Sequence, residues 1–524
     1  MATKVICKIS VTIAFIYLLV ASSIALVTNG ISYTSQRSDN HIAYAATTQN
    51  QSNKTSSSSA ANISNLDTIM AQLEYSNKPA DIATLAYIWG FSPVIMERQF
   101  HYLTSPNTPP GIGIAPANTL SCARQLLNAS FTTVTSPNQD TLYCQVQFDL
   151  SKEPVVIVVP PIKDRYSSFE FLDAFTNDYA YVGERATGTT GGTYLIAGPE
   201  WNGTIPSGMA KIWTPTNLAW LLNRILVKGP SDLSNVNAIQ DKIIVKPLSA
   251  FLSNPTNATF KSPLSQLQAS QANASKKVPI GPQPGLVAST GIKIYDEIGA
   301  AMIGNPLNPP DPVLVSKLAS IGIGPGKVPS VDANATTKAA LQIGITEGQK
   351  LINQKVANLG QELYGWSADT QNGVYGTNYL LRAAVTQAGL GANIAQEFFS
   401  PGVAKDNQGN PLSGNNNYTI HFNPGQLPPV NGYWSITMLN NKSLFVANPI
   451  NRYAIGVPTT PGLKNNTDDS LDIYLSSKNP GPQNESNWLP APQGAPFNLV
   501  LRLALAQPQI LNGTWPFPTI HRTR

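Results

Sequence analysis

Only 12% of this chain is charged, about half the usual share, so a local crowd of charges stands out. Asp164-Arg165-Tyr166, Asp173, Asn177 and Glu184-Arg185 form such a crowd, just downstream of the stretch Ser136-Pro137-Asn138-Gln139-Asp140-Thr141-Leu142-Tyr143. Paired carboxylates perform general acid–base chemistry when one of them keeps its proton near neutral pH. An arginine grips a carboxylate with a planar two-pronged fork, or donates to a sugar hydroxyl. Asp140, Tyr143, Arg165, Asp173 and Arg185 are therefore the candidate site residues of the N-terminal half. The competing reading is structural. Asp140 then caps the turn that Pro137 and Asn138 punctuate, the arginines pair with the aspartates, and Tyr143 and Tyr166 pack with satisfied hydroxyls. Neighbours in a strand face opposite ways. Arg165 and Arg185 are thus expected to seek Asp140 or Asp173, at a cleft, rather than the adjacent Asp164 and Glu184.

In the C-terminal half, Asn451 and Arg452 lie beside Tyr453, and Asn487-Trp488 precedes a proline-rich stretch. A tryptophan with Asn and Arg nearby can stack on a sugar ring. The bland alternative is that Trp488 covers the end of a β core. Ser435 sits between Trp434 and Ile436 without the Gly-x-Ser-x-Gly elbow of a nucleophilic serine. The histidines His41, His101, His421 and His521 show no metal spacing, and neither HExxH nor CxxC occurs. Gly322, Gly324 and Gly326 come nearest to a phosphate loop, but Pro325 interrupts them and Val328 follows Lys327. No metal and no cofactor is expected.

The elements that must position these residues read as mainly β. Strand patterns run over Thr132–Val134, Tyr143–Phe148, Val155–Val159, Ser168–Phe171 and Thr193–Ile196. They return over Tyr418–Phe422, Tyr433–Met438, Leu444–Ala447, Leu471–Leu475 and Phe497–Leu505. Helical patterns cover Ile82–Tyr102, with Pro93 expected to kink or end its first part, then a short helix capped by Thr216 through Leu226 and another over Val236–Ile244. Further helices are expected over Gly291–Ile303, Pro312–Ile321, Thr337–Leu359 and Asn378–Gln387. The fold expected is mainly β with helical segments: two antiparallel β-domains of sandwich or jelly-roll type joined by a helical connector. The first domain with its helix spans residues 66–250, the connector 251–400 and the second domain 401–524.

Lys4 and Lys8 precede an apolar run from Val11 to Val27, and the next charge is Arg37. Residues 1–45 read as a signal peptide, with Ala43-Tyr44-Ala45 as a small-x-small cleavage site, or as an uncleaved N-terminal anchor. Residues 46–65, rich in Ser, Thr, Asn and Gln, read as a flexible spacer. Cys7 lies in the leader, and Cys122 and Cys144 form either one disulfide or two buried thiols. Asn-x-Ser/Thr sequons recur at Asn53, Asn62, Asn128, Asn202, Asn257, Asn273, Asn334, Asn417, Asn441, Asn465, Asn484 and Asn512. Their density agrees with an exported protein, although an Asn- and Thr-rich chain also generates them by chance. The net charge of +5 over 524 residues is too small and scattered for nucleic-acid binding.

The motifs Pro137-Asn138-Gln139-Asp140-Thr141-Leu142-Tyr143, Asp164-Arg165-Tyr166, Gly183-Glu184-Arg185 and Thr187-Gly188 resemble the domain of unknown function family 1254. Tyr433-Trp434-Ser435-Ile436-Thr437-Met438, Asn448-Pro449-Ile450-Asn451-Arg452-Tyr453, Asn487-Trp488-Leu489-Pro490-Ala491-Pro492 and Arg502 resemble family 1214. The resemblance implies two antiparallel β-domains joined by a helical region, and no particular reaction. Two positions depart from it. Asp469 stands where the family has Gly, and Leu503-Ala504-Leu505 lacks the aromatic that follows Arg502.

Three functions fit these features: a secreted or membrane-anchored cell-surface protein that binds or builds, an extracytoplasmic hydrolase of glycan or peptide using the Asp/Arg group, and an assembly protein. The corresponding partners are an unidentified ligand, with glycan as one candidate, a membrane engaged through the N-terminus, and further copies of the chain.

Overall fold

The computed structural model describes residues 57–108, 111, 113–132, 135–254, 287–307 and 310–523. The leader, most of the spacer, Cys7 and the sequons at Asn53, Asn257 and Asn273 lie outside these residues. A helix, Ser57–Tyr75, already starts inside the stretch expected to be spacer.

The second helix, Pro79–Thr104, opens with proline in its first turn, where a missing N–H goes unmissed. Every residue from Ile82 to Met96 is buried, so the helix is apolar all round rather than along one stripe. Pro93 does not end it. A proline in mid-helix orphans the carbonyl four residues earlier, here that of Trp89. The buried Arg382 supplies the missing donor, its Nη2 lying 2.9 Å from the Trp89 oxygen. Arg382 sits on the Asn378-capped helix Tyr379–Gly389 and stacks against the rings of Phe175 and Tyr379. Burial lowers its pKa to about 10, which still leaves it charged at neutral pH.

The middle of the chain is helical where expected, at Ile294–Ala301, Pro312–Ser320 with Asp311 as its cap, and Ala335–Val356. These helices pack on a longer one. Together with Pro79–Thr104 they build one apolar cluster, around Leu85, Ile88, Tyr295, Ile298 and Leu341. Ala335–Val356 approaches closely because Gly344 carries no side chain: a Cβ there would lie 2.6 Å from the Ala83 backbone. The Tyr295 hydroxyl donates within this crossing, with the Ala83 and Leu341 carbonyls both in reach.

The first β-domain contains β1 (Ser121–Cys122), β2 (Thr141–Asp149), β3 (Val155–Val159), β4 (Ser167–Asp173), β5 (Asp178–Gly183), β6 (Gly192–Ala197), β7 (Ala210–Trp213), β8 (Leu218–Leu226) and β9 (Ile244–Pro247). One sheet has the order β1-β2-β8-β4-β5, the other β7-β6-β3-β9. Alternate residues of both sheets, among them Val146, Phe169, Leu221, Ile157 and Ile196, meet in a shared core. The segment expected as a helix capped by Thr216 is instead β8, the centre of its sheet. It is buried at every position, and an apolar run covered on both faces carries no alternation to separate strand from helix. The helix expected through Ile244 stops at Gln240, and Ile244 begins β9. Cys122 and Cys144 are direct cross-strand partners with Cα atoms 4.0 Å apart, and their sulfurs are bonded.

The second β-domain contains β10 (Gln361–Leu363), β11 (Trp366–Ala368), β12 (Phe398–Phe399), β13 (Gly402–Val403), β14 (Asn417–Phe422), β15 (Trp434–Asn440), β16 (Ala454–Val457), β17 (Leu471–Ser476), β18 (Trp488–Pro490), β19 (Phe497–Ala504) and β20 (Ile520–Thr523). Its larger sheet runs β10-β11-β13-β19-β15-β16, with β12 on β19, and its smaller one β18-β17-β14-β20. Leu444–Ala447 forms no strand and contributes an isolated bridge from Phe445 to Leu439. Pairing is antiparallel except for β6–β7 and β17–β18. Asp469 has φ 63°, a left-handed conformation that Gly adopts freely and Asp tolerates.

If Arg382 serves the Trp89 carbonyl, Pro93 and Arg382 are energetically coupled. Arg382→Met should cost about 2 kcal/mol in the native background, from a buried acceptor left unpaired. It should cost at least ~1 kcal/mol less alongside Pro93→Ala, which restores the backbone donor. Urea unfolding of the four-member cycle measures this, and additive costs would refute it.

Candidate functional site

The polar residues of the two β-domains converge on their junction. The turn Ser136–Asp140 enters it from the first domain. The Asn138 side-chain oxygen accepts from the Asp140 and Thr141 amides, at 2.5 and 3.1 Å, so Asn138 caps the turn and Asp140 does not. The freed Asp140 carboxylate is fully buried and accepts from the Ser435 hydroxyl of β15 at 2.6 Å. Arg502 of β19 reaches the same turn: its Nη2 donates to the Ser136 and Pro137 carbonyls at 2.9 and 2.8 Å, and its Nε to the Thr437 hydroxyl at 2.9 Å. The Gln139 side-chain oxygen accepts from the Tyr453 amide at 3.0 Å, and the Ser136 amide donates to the Ser443 carbonyl at 2.7 Å. Burial raises the Asp140 pKa, while the Ser435 hydrogen bond and the Arg502 charge oppose the rise.

A second contact lies beside this one. Glu397, directly before β12, accepts from Arg185 Nε at 2.5 Å and from the Tyr166 hydroxyl at 3.1 Å. The rings of Tyr166, Phe398 and Tyr433 form a triangle with centroids 5.7–6.3 Å apart. Gly183, at φ 133°, makes the turn that presents Arg185, and a Cβ there would lie 2.3 Å from the Ser167 carbonyl oxygen.

Between these contacts, the outer faces of β4, β5 and β8 hold Glu170, Asp178 and Arg224. Glu170 accepts from Arg224. Asp178 accepts from the Tyr181 hydroxyl at 2.7 Å. Arg224 also bonds the Gly391 carbonyl and the Asn393 side-chain oxygen, and lies over the Tyr143 ring. Glu170 Oε1 and Asp178 Oδ1 have no hydrogen-bond partner, and the two carboxyls act on each other electrostatically. Burial penalises the charge on both carboxyls, which favours a proton on one of them. Burial raises both pKa values, that of Asp178 strongly and with the Glu170 charge adding to it.

The expected pairing of Arg165 or Arg185 with Asp140 or Asp173 does not occur. Arg165 makes a two-pronged pair with Asp232, at 2.5 and 3.0 Å. Asp232 is held down to about 2 because Arg165, the Lys228 amide and Asn235 outweigh its burial. Asp173 faces its own turn and accepts from the Phe175 and Asn177 amides at 2.8 and 2.9 Å. In the second domain, Arg452 donates to the Glu485, Ser486 and Trp488 carbonyls. Asn451 accepts from the Tyr453 hydroxyl. Trp488 is buried and donates to the Ser476 carbonyl at 2.9 Å, which removes it as an exposed sugar platform. Of the candidates, Asp140, Tyr143 and Arg185 reach the junction cluster. Glu170, Asp178, Arg224 and Glu397 were not anticipated. Their signal was a lone charge inside an apolar run, as in Ser168-Phe169-Glu170-Phe171-Leu172 and Leu222-Asn223-Arg224-Ile225. A shallow depression lined by Val159, Pro160, Gly183 and Gly188 lies elsewhere and includes none of these groups. Among the described residues no cluster of His, Cys, Asp and Glu could hold a metal ion.

A protein of this design is two β-domains locked through their own sequence motifs, and comparison with known proteins gives the same division. Residues 117–247 match the family described as "Protein of unknown function (DUF1254)" and residues 397–508 match "Protein of unknown function (DUF1214)". The chain thus resembles the first family in its N-terminal half and the second in its C-terminal half. No curated protein matches it. The crystal structure of the VPA0106 protein from Vibrio parahaemolyticus has the same fold, with a TM-score of 0.65 and 22% identity over 85% of this chain and 100% of that one. An uncharacterised protein from Burkholderia cenocepacia aligns with a TM-score of 0.39 and 10% identity, over 89% and 96% of the two chains.

Arg502→Ala removes three hydrogen bonds and the charge that compensates Asp140, and should cost on the order of 3 kcal/mol. Arg502→Lys should recover only part, since a point charge cannot span both carbonyls and Thr437. Calorimetry reads both, and an Arg502→Ala melt at the wild-type temperature would refute the clamp. The Glu170–Asp178 pair predicts a pH dependence. A raised folded-state pKa means the pair's stabilisation is complete below the ordinary carboxyl range and is lost as pH rises through the folded value. Asp178→Asn cannot lose that proton, so it should flatten the decline of melting temperature on the alkaline side. Parallel wild-type and variant curves would show that the pair holds no proton.

Proposed function

We propose that the protein works outside the cytoplasm as a binding or structural protein, secreted or held at the membrane by its N-terminus. In this reading each β-domain is a sandwich or jelly roll closed on one core, and the middle helices carry the chain between them. The observation that carries the reading is where the polar residues of the motifs go. Asp140, Arg185, Arg452 and Arg502 spend their hydrogen bonds on partners within the chain, which makes a stiff two-domain body. The bonded Cys122 and Cys144 favour an oxidising compartment, since cytosolic thiols are kept reduced. The alternative, an extracytoplasmic hydrolase of glycan or peptide, has the buried Glu170–Asp178 pair in its favour.

Cell fractionation with an epitope at the C-terminus, combined with peptide mapping under non-reducing conditions, tests the reading. The expected outcome is protein at the surface or in the medium, with Cys122 and Cys144 in one linked peptide. Soluble cytoplasmic protein with an intact N-terminus and free thiols would overturn it. Hydrolysis of a glycan or peptide by the wild type, abolished in Glu170→Gln, would select the enzyme instead.

A further inference from the structure

The buried and the sequon asparagines are separate sets. Among the described residues seven asparagines are buried, including Asn138, Asn223, Asn393 and Asn487, and none of them begins an Asn-x-Ser/Thr triplet. Every sequon asparagine whose side chain is described is exposed, apart from the half-buried Asn484. Asparagine is mostly a surface residue, so the separation removes burial as an obstacle to modification without itself marking the sites.

Two of these sites carry a further geometric feature. The Asn128 side-chain oxygen accepts from both the amide and the hydroxyl of Ser130, at 2.9 and 2.7 Å. The Asn512 oxygen accepts from the amide and hydroxyl of Thr514, at 3.1 and 2.8 Å. In each case the first and third residues of the triplet are locked together through the amide oxygen. Nδ2 has no partner among the described residues. The two loops are also anchored. Leu127 and Ala129 pack against the apolar cluster of Leu439, Phe445, Tyr453 and Val500, and Asn512 directly follows the helix Pro508–Leu511. An N-linked glycosyl transfer requires an amide nitrogen that the transferring enzyme can reach, and an exposed asparagine with an unbonded Nδ2 offers one.

We infer that Asn128 and Asn512 are N-glycosylation sites, an inference that rests on the proposed export. In the transfer, Nδ2 bonds to the anomeric carbon of a lipid-linked sugar phosphate. The bond from that carbon to the phosphate oxygen breaks, the phosphate leaves with the electron pair, and Nδ2 gives up one proton to a base. The outward faces around Asn128 and Asn512 thereby carry sugar, while the interdomain contacts around Asn138, Asn393 and Asn451 stay bare.

The test is glycopeptide mapping by mass spectrometry of the full chain purified from its native source. Surface location is read separately, by labelling intact cells with a membrane-impermeant amine reagent. Sugar-sized mass increments are expected on the peptides containing Asn128 and Asn512, with fragmentation placing them on the asparagine. They are expected to disappear in Asn128→Gln and Asn512→Gln while the melting temperature stays unchanged, and to be absent from peptides containing Asn138 or Asn223. Surface-labelled protein with both asparagines unmodified overturns this inference and leaves the export reading standing. Protein that is neither labelled, nor released into the medium, nor modified overturns both. Increments that persist in the Gln variants place the sugar elsewhere and overturn the assignment.

Discussion

The junction of the two β-domains depends on one guanidinium. Arg502 leaves the central strand of the second domain's larger sheet and ends on two consecutive carbonyls of a turn that belongs to the first. The Pro137 carbonyl is buried in the junction, so it needs a donor. Asp140, buried beside it, needs a positive charge. A single planar side chain meets both needs, with Ser435 completing the carboxylate's hydrogen bonding. The contact is polar and fixed in geometry, and beside it run the apolar contacts of Tyr166, Phe398 and Tyr433 and of Leu127 on Phe445 and Tyr453, so it sets the relative orientation of the domains while the apolar contacts add adhesion. It also gives a physical reason for two family motifs in one chain. The Pro137–Tyr143 motif finds its partners in the Tyr433–Met438 motif and in Arg502, and the Gly183–Arg185 motif finds its partner in Glu397.

Much of the architecture was legible in the sequence. Strands β2, β3, β4, β6, β14, β15, β17 and β19 show runs or alternation bounded by Pro, Gly and Asn, and the middle helices announce themselves by cap-then-Pro order, as at Asp311-Pro312, or by period. Part of what was not legible has one cause. Leu218–Leu226 and Ile82–Met96 are both covered on every side, and full burial erases the polar face from which a period is read. The first formed a strand where a helix was expected. The second ran past its proline because a distant arginine made good the lost hydrogen bond, and nothing local to Pro93 encodes that.

The site was legible by residue type but not by partner. Asp140, Tyr143 and Arg185 belong to the junction cluster, yet each answers to a residue far along the chain. Arg165 found Asp232, whose acidity is set by an amide and an asparagine as well as by the arginine. Asp173 was absorbed by its own turn. The carboxyl pair at Glu170 and Asp178 was hidden because Glu170 lies between Phe169 and Phe171 and Asp178 opens a mostly apolar strand, and their closeness depends on the pairing of β4 with β5.

The bonded cysteines bear on a different problem. β1 is only two residues long and forms the outer edge of its sheet, where unpaired N–H and C=O groups offer a template to any extended chain. With Cys122 fastened to Cys144, that edge cannot peel away to uncover the longer β2 beneath. At two residues it is too short to seed a foreign strand. A molecule packed densely among its own copies would in this way keep its most extended strand out of reach, and stay discrete where a bare sheet edge would invite fibres.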